Sequence, residues 1–515
     1  DGDTGSWPFD SVHGRDLSEW KQMNFGADQS YHMAGNHGPY FATYYADKNF
    51  GMMHLANRDD KLGRKFFTWA LSDQGDIWRE LLTDHKTQYV ELQSGRLFNQ
   101  NKINSSFTPY KQFLFTPFGT DEWTEYWFPY SGTGGVAGAS ELGVINVCAA
   151  GNDTKVSIYA LTDLAGTLSV VDSLGHDLAR HDVSVKTANS VTETFGVELN
   201  NIQKIKLGGK TLWSRESQDL SRPQATPKNF DWNTAYAQYL LARDSYGMGE
   251  MKSAQKAVDK ALQLDANYGP ALGLKAALCN YSFNYAEALD YAHRALSIDQ
   301  YDADANYQAG IAAMNLGKKY DALDGFEMTA ITSPLRSAAY TQLAKLYFST
   351  FGDLGKAEQY ALRSTEYNAN NVTAYQLLCR IYASRGNKSE AARMLDKIEK
   401  LDPLNHFVDF ERYCNGNMTK EAFLGNIKEE FPAQELLELA SFYIGIGDDA
   451  QAQKVLDTDP SGNTLVKIWR AKLSGDATAL AQLSAKDLDF AFPFRNEDKQ
   501  MLDWAAANSE KWEYR

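Results

Sequence analysis

The sequence predicts a multidomain chain that is β first and α after: a large antiparallel β-sandwich, a small β-sandwich, then an α-solenoid of helix pairs. Three observations predict it. Residues 1–131 are dense in Trp, Tyr, Phe and Gly, in short runs broken by turn signals such as Asn36-His-Gly-Pro and Asp73-Gln-Gly-Asp. Residues 132–215 keep the short runs but lose most of the aromatics. From residue 232 to 515 the apolar spacing becomes helical, and a unit of 34 or 35 residues recurs.

Composition bounds the partners. The chain has 515 residues, a formal charge of −15 and 43% hydrophobic residues, which suits two to four domains with substantial cores. An acidic balance argues against nucleic acid or an anionic membrane, since both select clustered Lys and Arg. Cys148, Cys279, Cys379 and Cys414 have no CxxC spacing and read as buried free thiols, with disulfides as the alternative. No apolar run is long enough to span a bilayer. The opening Asp1-Gly2-Asp3 and the uncapped end Glu510-Lys-Trp-Glu-Tyr-Arg515 suggest a processed product or a piece of something longer.

The chemistry is expected between Gly63 and Pro129. Asn49-Phe-Gly-Met-Met-His-Leu-Ala and Lys65-Phe-Phe-Thr-Trp-Ala-Leu read as strands joined across a polar segment, and Ile77-Trp-Arg-Glu-Leu-Leu-Thr is read within the same β sequence. The sheet is expected to be antiparallel because no crossover helix is evident. Alternation places Tyr89, Glu91 and Gln93 on one face of a strand, with Val90 and Leu92 on the other. The same period groups Trp123, Glu125 and Trp127. A carboxylate between indoles suits a sugar, because rings stack on its C–H face and carboxylates accept from its hydroxyls. Large sheets also bury aromatics for packing alone.

The segments Val144-Ile-Asn-Val, Val156-Ser-Ile-Tyr-Ala, Leu168-Ser-Val-Val, Asp182-Val-Ser-Val and Ile202-Gln-Lys-Ile-Lys-Leu predict the small sandwich, with a supporting role. His176 and His181 read as solvated, with no third ligand for a metal. Residues 216–231 are polar, carry two prolines and suit a linker. In the repeats, Asp265, Asp299, Ser333, Asn368 and Asp402 close successive units, and eleven residues before each stands an alanine: Ala254, Ala288, Ala322, Ala357 and Ala391. A small side chain at one fixed point lets the second helix pack closely on the first. The pattern resembles tetratricopeptide repeats, degenerate after about 403.

With both halves in view, Lys65-Phe-Phe-Thr-Trp-Ala, Trp78-Arg-Glu-Leu-Leu, Tyr89-Val-Glu-Leu-Gln-Ser-Gly, Gln100 and Trp123-Thr-Glu-Tyr-Trp resemble a largely uncharacterised bacterial family. Its members carry a β-supersandwich similar to galactose mutarotase, followed by tetratricopeptide repeats. The resemblance implies that the chain is the C-terminal part of such a protein, with further sandwich ahead of it. It implies a sugar on the concave sheet face and Glu91 in the position of the general base. The acid partner does not align; His37 is the nearest candidate. The family also implies a periplasmic, secreted or cell-surface location in a bacterium.

A glycoside hydrolase would instead need two carboxylates, one protonated and one ionised. Glu91 and Glu125 form the expected pair, with Glu80 as substitute, and desolvation by Trp78, Trp123 and Trp127 would separate their pKa values. Trp69, Gln93, Arg96 and Gln100 are the remaining candidate substrate contacts. No phosphate-cradling loop, nucleophile elbow or zinc helix is present, and no cofactor or metal is implied. The alternative is a non-catalytic scaffold, with a peptide or protein partner on the repeat groove and the sandwich as glycan anchor. First-helix residues Tyr239, Asn306, Tyr340, Tyr375 and Arg380 are expected to line that groove.

Overall fold

The computed structural model describes residues 9–10, 14–22, 29–32, 38–57, 60–61, 63–68, 73–84, 89–95, 115–216, 229–483, 487 and 491–510. The chain divides into two compact units, one of residues 1–114 and 121–257, the other of residues 115–120 and 258–515.

In the first unit, β1 (Phe9–Asp10) and β2 (Arg15–Asp16) pair by themselves. Among the described residues six strands follow: β3 (Gln29–His32), β4 (Tyr40–Tyr45), β5 (Phe50–Ala56), β6 (Gly63–Thr68), β7 (Val90–Gly95) and β8 (Glu125–Ser131). They form two antiparallel sheets, in the orders β3-β6-β7 and β4-β5-β8. The neighbours β5 and β6 therefore do not pair. Both edges of β5 are taken, by β4 and β8, so β6 has to find partners elsewhere.

One expected β segment is a helix. α1 (Asp73–Leu82) contains Ile77, Trp78 and Glu80, and Asp73 and Asp76 stand at its positive end. Arg79 pairs back to Asp76 at 2.8 Å, one turn earlier. A helix thus connects β6 to β7, yet these strands are antiparallel.

The second sandwich comprises β9 (Gly138–Ser140), β10 (Gly143–Ala150), β11 (Asp153–Ala160), β12 (Leu164–Val171), β13 (Asp177–Val185), β14 (Ser190–Phe195), β15 (Lys204–Leu207) and β16 (Lys210–Ser214). Its antiparallel sheets run β14-β11-β10-β9 and β13-β12-β15-β16. Val156, Ile158, Leu168, Val170, Phe195 and Ile205 fill the core between them. The two sandwiches also share buried contacts, because Met53, Leu55 and Tyr130 cluster with Ala139 and Val144. His181 stacks on Phe195 at 4.4 Å and meets Glu193 at 2.8 Å, so it is tied down rather than freely solvated.

The helical repeats follow as α2 (Ala235–Gly247), α3 (Met251–Leu264), α4 (Gly269–Tyr281), α5 (Tyr285–Leu296), α6 (Ala303–Asn315), α7 (Lys319–Thr329), α8 (Arg336–Leu346), α9 (Leu354–Tyr367), α10 (Val372–Ser384) and α11 (Lys388–Leu401). The recurrent alanines sit where the spacing puts them: Ala254, Ala288, Ala322 and Ala357 are 0% exposed and Ala391 is 6% exposed. At α6 and α7 the backbones approach closely, and a Cβ on Gly325 would lie 2.8 Å from the Asn306 carbonyl oxygen.

Beyond Asp402 the helices continue as α12 (His406–Cys414), α13 (Lys420–Asn426), α14 (Pro432–Gly445), α15 (Asp449–Leu456), α16 (Thr464–Ser474), α17 (Thr478–Gln482) and α18 (Asp498–Asn508). Arg380 of α10 anchors this region. It donates to both oxygens of Glu411, at 2.9 and 3.0 Å, and to Asp448 at 2.8 Å, while Tyr443 donates to Glu411 at 2.7 Å. The residues expected in the groove are partly spent on such internal bonds. Asn306 is buried and caps the turn before α6 by donating to Gln300 and Asp302, and Arg380 is buried in its ion cluster. Cys279 and Cys379 are buried free thiols, whereas Cys414 is half-buried and Cys148 exposed. Among the described residues no helix is long and apolar enough to cross a membrane.

Candidate functional site

Antiparallel register builds the site. Phe41 of β4 faces His54 of β5, and His54 faces Trp127 of β8, so three rings share one side of the sheet. His54 is 0% exposed and lies 4.8 Å from the Phe41 ring and 4.6 Å from the Trp127 ring. Two residues before Trp127, on the same face, stands Glu125.

Four donors converge on the Glu125 carboxylate. Ser94 donates to Oε2 at 2.7 Å and His54 Nε2 lies 2.8 Å from the same oxygen. Lys61 Nζ is 3.0 Å from Oε1, and Trp123 Nε1 donates to it at 3.3 Å. Lys61 also lies 4.1 Å from the Trp123 ring centroid. Burial alone would raise the carboxyl's pKa, but the bonds from Ser94, Lys61, His54 and Trp123 override it and hold the group at about 2. Burial pushes the His54 pKa down, against the pull of its Glu125 bond. A neutral imidazole beside an ionised carboxylate must donate through Nε2, which leaves Nδ1 as an acceptor with no hydrogen-bond partner among the described residues.

Beside this cluster an open cleft of about 560 Å³ is lined by Glu125 to Phe128 together with Leu55, Glu141 and Leu161. Tyr126 and Trp127 are 46% and 41% exposed there. Among the described residues β8 forms an edge of its sheet, so both of its faces can border the cleft.

Glu91 is elsewhere. It accepts from Tyr89 at 2.6 Å and from the Gln93 amide, all three on one face of β7. Burial and the Glu91 bond together push the Tyr89 hydroxyl up to about 12. Ser94, which reaches Glu125, projects from the other face of β7 and pairs in register with Arg64. The structure therefore does not bring Glu91 and Glu125 into one pocket. Alternation describes each strand by itself and is silent on which strands become neighbours.

Trp123, Glu125 and Trp127 do come together. Glu80 is exposed and Trp78 half-buried on α1, so neither holds the strand position expected of it. His37, Trp69, Arg96 and Gln100 lie outside the described residues. Sequence reasoning missed His54, Lys61 and Ser94. The one available signal was a histidine in the otherwise apolar run Phe-Gly-Met-Met-His-Leu-Ala, and its use depends on the β5–β8 register.

Against known proteins, residues 1–130 match the family model described as a domain of unknown function, DUF5107. Among solved structures, a tetratricopeptide repeat protein from Parabacteroides merdae is 17% identical, with 47% of this chain and 99% of that chain covered and a TM-score of 0.34. YrrB, described as a TPR protein with an unusual peptide-binding site, is 22% identical, covering 35% of this chain and 91% of that one at a TM-score of 0.30. PilF of Pseudomonas aeruginosa is 16% identical, covering 42% and 97% at a TM-score of 0.34. Residues 1–130 thus match the DUF5107 model, and a region of paired helices follows the two sandwiches.

Proposed function

We propose that the chain is a non-catalytic interaction scaffold, in which the helical repeats take a protein segment and the first unit offers its Glu125 cleft to a glycan. The observation that carries this reading is the state of Glu125. Four donors hold its carboxylate at about 2, so near neutral pH it is a fixed acceptor and not a proton carrier. A general acid would have to be protonated there, and the second carboxylate of a hydrolase pair, Glu91, faces the other way along β7. What the cleft does offer is a wall of exposed rings, Tyr126 and Trp127, beside the carboxylates of Glu125 and Glu141. That combination suits sugar hydroxyls and C–H faces. The likeness to mutarotase sandwiches and a periplasmic or surface location belong to the same proposal.

The test is an oligosaccharide array with the purified chain, run beside hydrolysis and anomer-exchange assays. Binding that is lost in a folded Trp127→Ala variant, with no turnover, is the expected result. Turnover abolished by Glu125→Gln would make the protein an enzyme. Absence of any sugar binding would leave the repeats as its working part.

A further inference from the structure

Six residues from upstream of the second sandwich, Phe115–Thr120, belong to the repeat unit. Their backbone turns sharply: Gly119 N–H donates to the Thr116 carbonyl at 2.9 Å, across Pro117 and Phe118. Phe118 has φ +52°, a left-handed conformation that a type II turn demands at this position and that costs a phenylalanine about 1 kcal/mol. Gly119 has no room for a side chain, since a Cβ would lie 2.6 Å from Thr116 Oγ1.

The repeats read this turn at two points. The Asn368 side chain, between α9 and α10, donates through Nδ2 to the Phe118 carbonyl at 3.0 Å and accepts from Thr120 Oγ1 at 2.7 Å. An amide that donates to a backbone carbonyl and accepts from a hydroxyl two residues on recognises a turned peptide, whatever protein supplies it. Lys345 of α8 places Nζ 4.9 Å from the Phe118 ring centroid, and the ring packs against the buried cluster of Tyr307, Phe326 and Leu343. Phe115 is 70% exposed, so a single ring supplies the apolar anchor.

We propose that the repeat unit carries a peptide-recognition site at Asn368 and Lys345 for a turn of the Pro-Phe-Gly-Thr kind, and that residues 115–120 of the same chain fill it. The proposal deepens the scaffold reading and depends on it, but on nothing in the Glu125 cleft. One ring and one amide against a strained backbone make a hold that a partner peptide of the same chemistry displaces. Tethering raises the local concentration of the internal segment to about the millimolar range, so an external peptide meets an occupied site.

The test uses the full chain and a fluorescent peptide with the sequence of residues 113–122. Phe118→Gly in the chain keeps the left-handed turn and deletes the anchoring ring. The peptide is expected to bind this variant at least about tenfold more tightly than the wild type. Adding Asn368→Ala, or separately Lys345→Met, is expected to lose that gain while the helical circular dichroism stays unchanged. Equal affinity for all chains, insensitive to both substitutions, would overturn the site and leave the repeats binding peptides elsewhere. No binding to any chain would overturn the site and remove the support it draws from the scaffold reading.

Discussion

Ser94 Oγ donates to Glu125 Oε2 at 2.7 Å, and this one bond settles which side of β7 the carboxylate sees. Glu91 shares its strand face with Tyr89 and Gln93; Glu125 shares a cluster with Ser94, Lys61, His54 and Trp123. Two carboxylates that look alike in sequence therefore have separate surroundings.

The donors around Glu125 set its titration. Replacing Lys61 by Met removes the ion pair at 3.0 Å and is expected to raise the Glu125 pKa from about 2 by on the order of one unit, read by carbon NMR of the side-chain carboxyl. Because the folded pKa lies below the ordinary 4.5, the group stabilises the fold above that value, and the benefit fades as pH falls toward 2. Glu125→Gln is expected to flatten stability between those limits.

Asp244 of α2 shows the opposite sign. It is 2% exposed, neither carboxylate oxygen has a hydrogen-bond partner among the described residues, and burial pushes its pKa up to about 7. A raised folded pKa means a contribution fully present below the ordinary 3.8 and lost as pH rises through 7. Denaturant titrations are expected to show stability falling across that window, by on the order of a few kcal/mol, and Asp244→Asn should remove the slope.

Arg380 ties three helices of the repeat region together through Glu411 and Asp448. Truncation to Ala strands Glu411, whose side chain is 3% exposed, and is expected to cost about 3–5 kcal/mol, seen as a lower unfolding midpoint for the helical signal. Replacing Arg380 by Lys keeps the charge without the fork that bridges Glu411 and Asp448, and should recover less than half of that loss.

Gly325→Ala tests the close helix pair. A methyl group 2.8 Å from the Asn306 carbonyl oxygen and 2.9 Å from Gly310 N must push α6 and α7 apart, at a cost of about 1–3 kcal/mol in thermal denaturation. An unchanged midpoint would mean that the pair moves apart without loss.

The repeat region was largely legible from the chain. Its contacts are local, so the period and the small residue eleven positions before each close carry most of the packing information, and Ala254, Ala288, Ala322 and Ala357 are fully buried as that spacing requires. The small sandwich was legible strand by strand, because its short runs alternate faces, whereas its pairings β11 with β14 and β12 with β15 join strands that are not neighbours in the chain. The helix α1 was misread as strand, since a run as short as Ile77-Trp-Arg-Glu-Leu-Leu-Thr fits both periods and is decided by its acidic first turn.

By itself, then, the sequence determined the order of β before α, the helix-pair period, the alternation that groups Trp123, Glu125 and Trp127, and the acidic overall balance. Only the tertiary structure decided that β5 pairs with β8 and not β6, that His54, Lys61 and Ser94 complete the Glu125 cluster, that Glu91 faces away from it, and that residues 115–120 sit on the repeats. The physical reason is range. Periodicity reports the faces of one element, whereas a polar cluster or a docked turn is made by residues far apart in the chain, whose meeting depends on which strand edges and helix surfaces are left open.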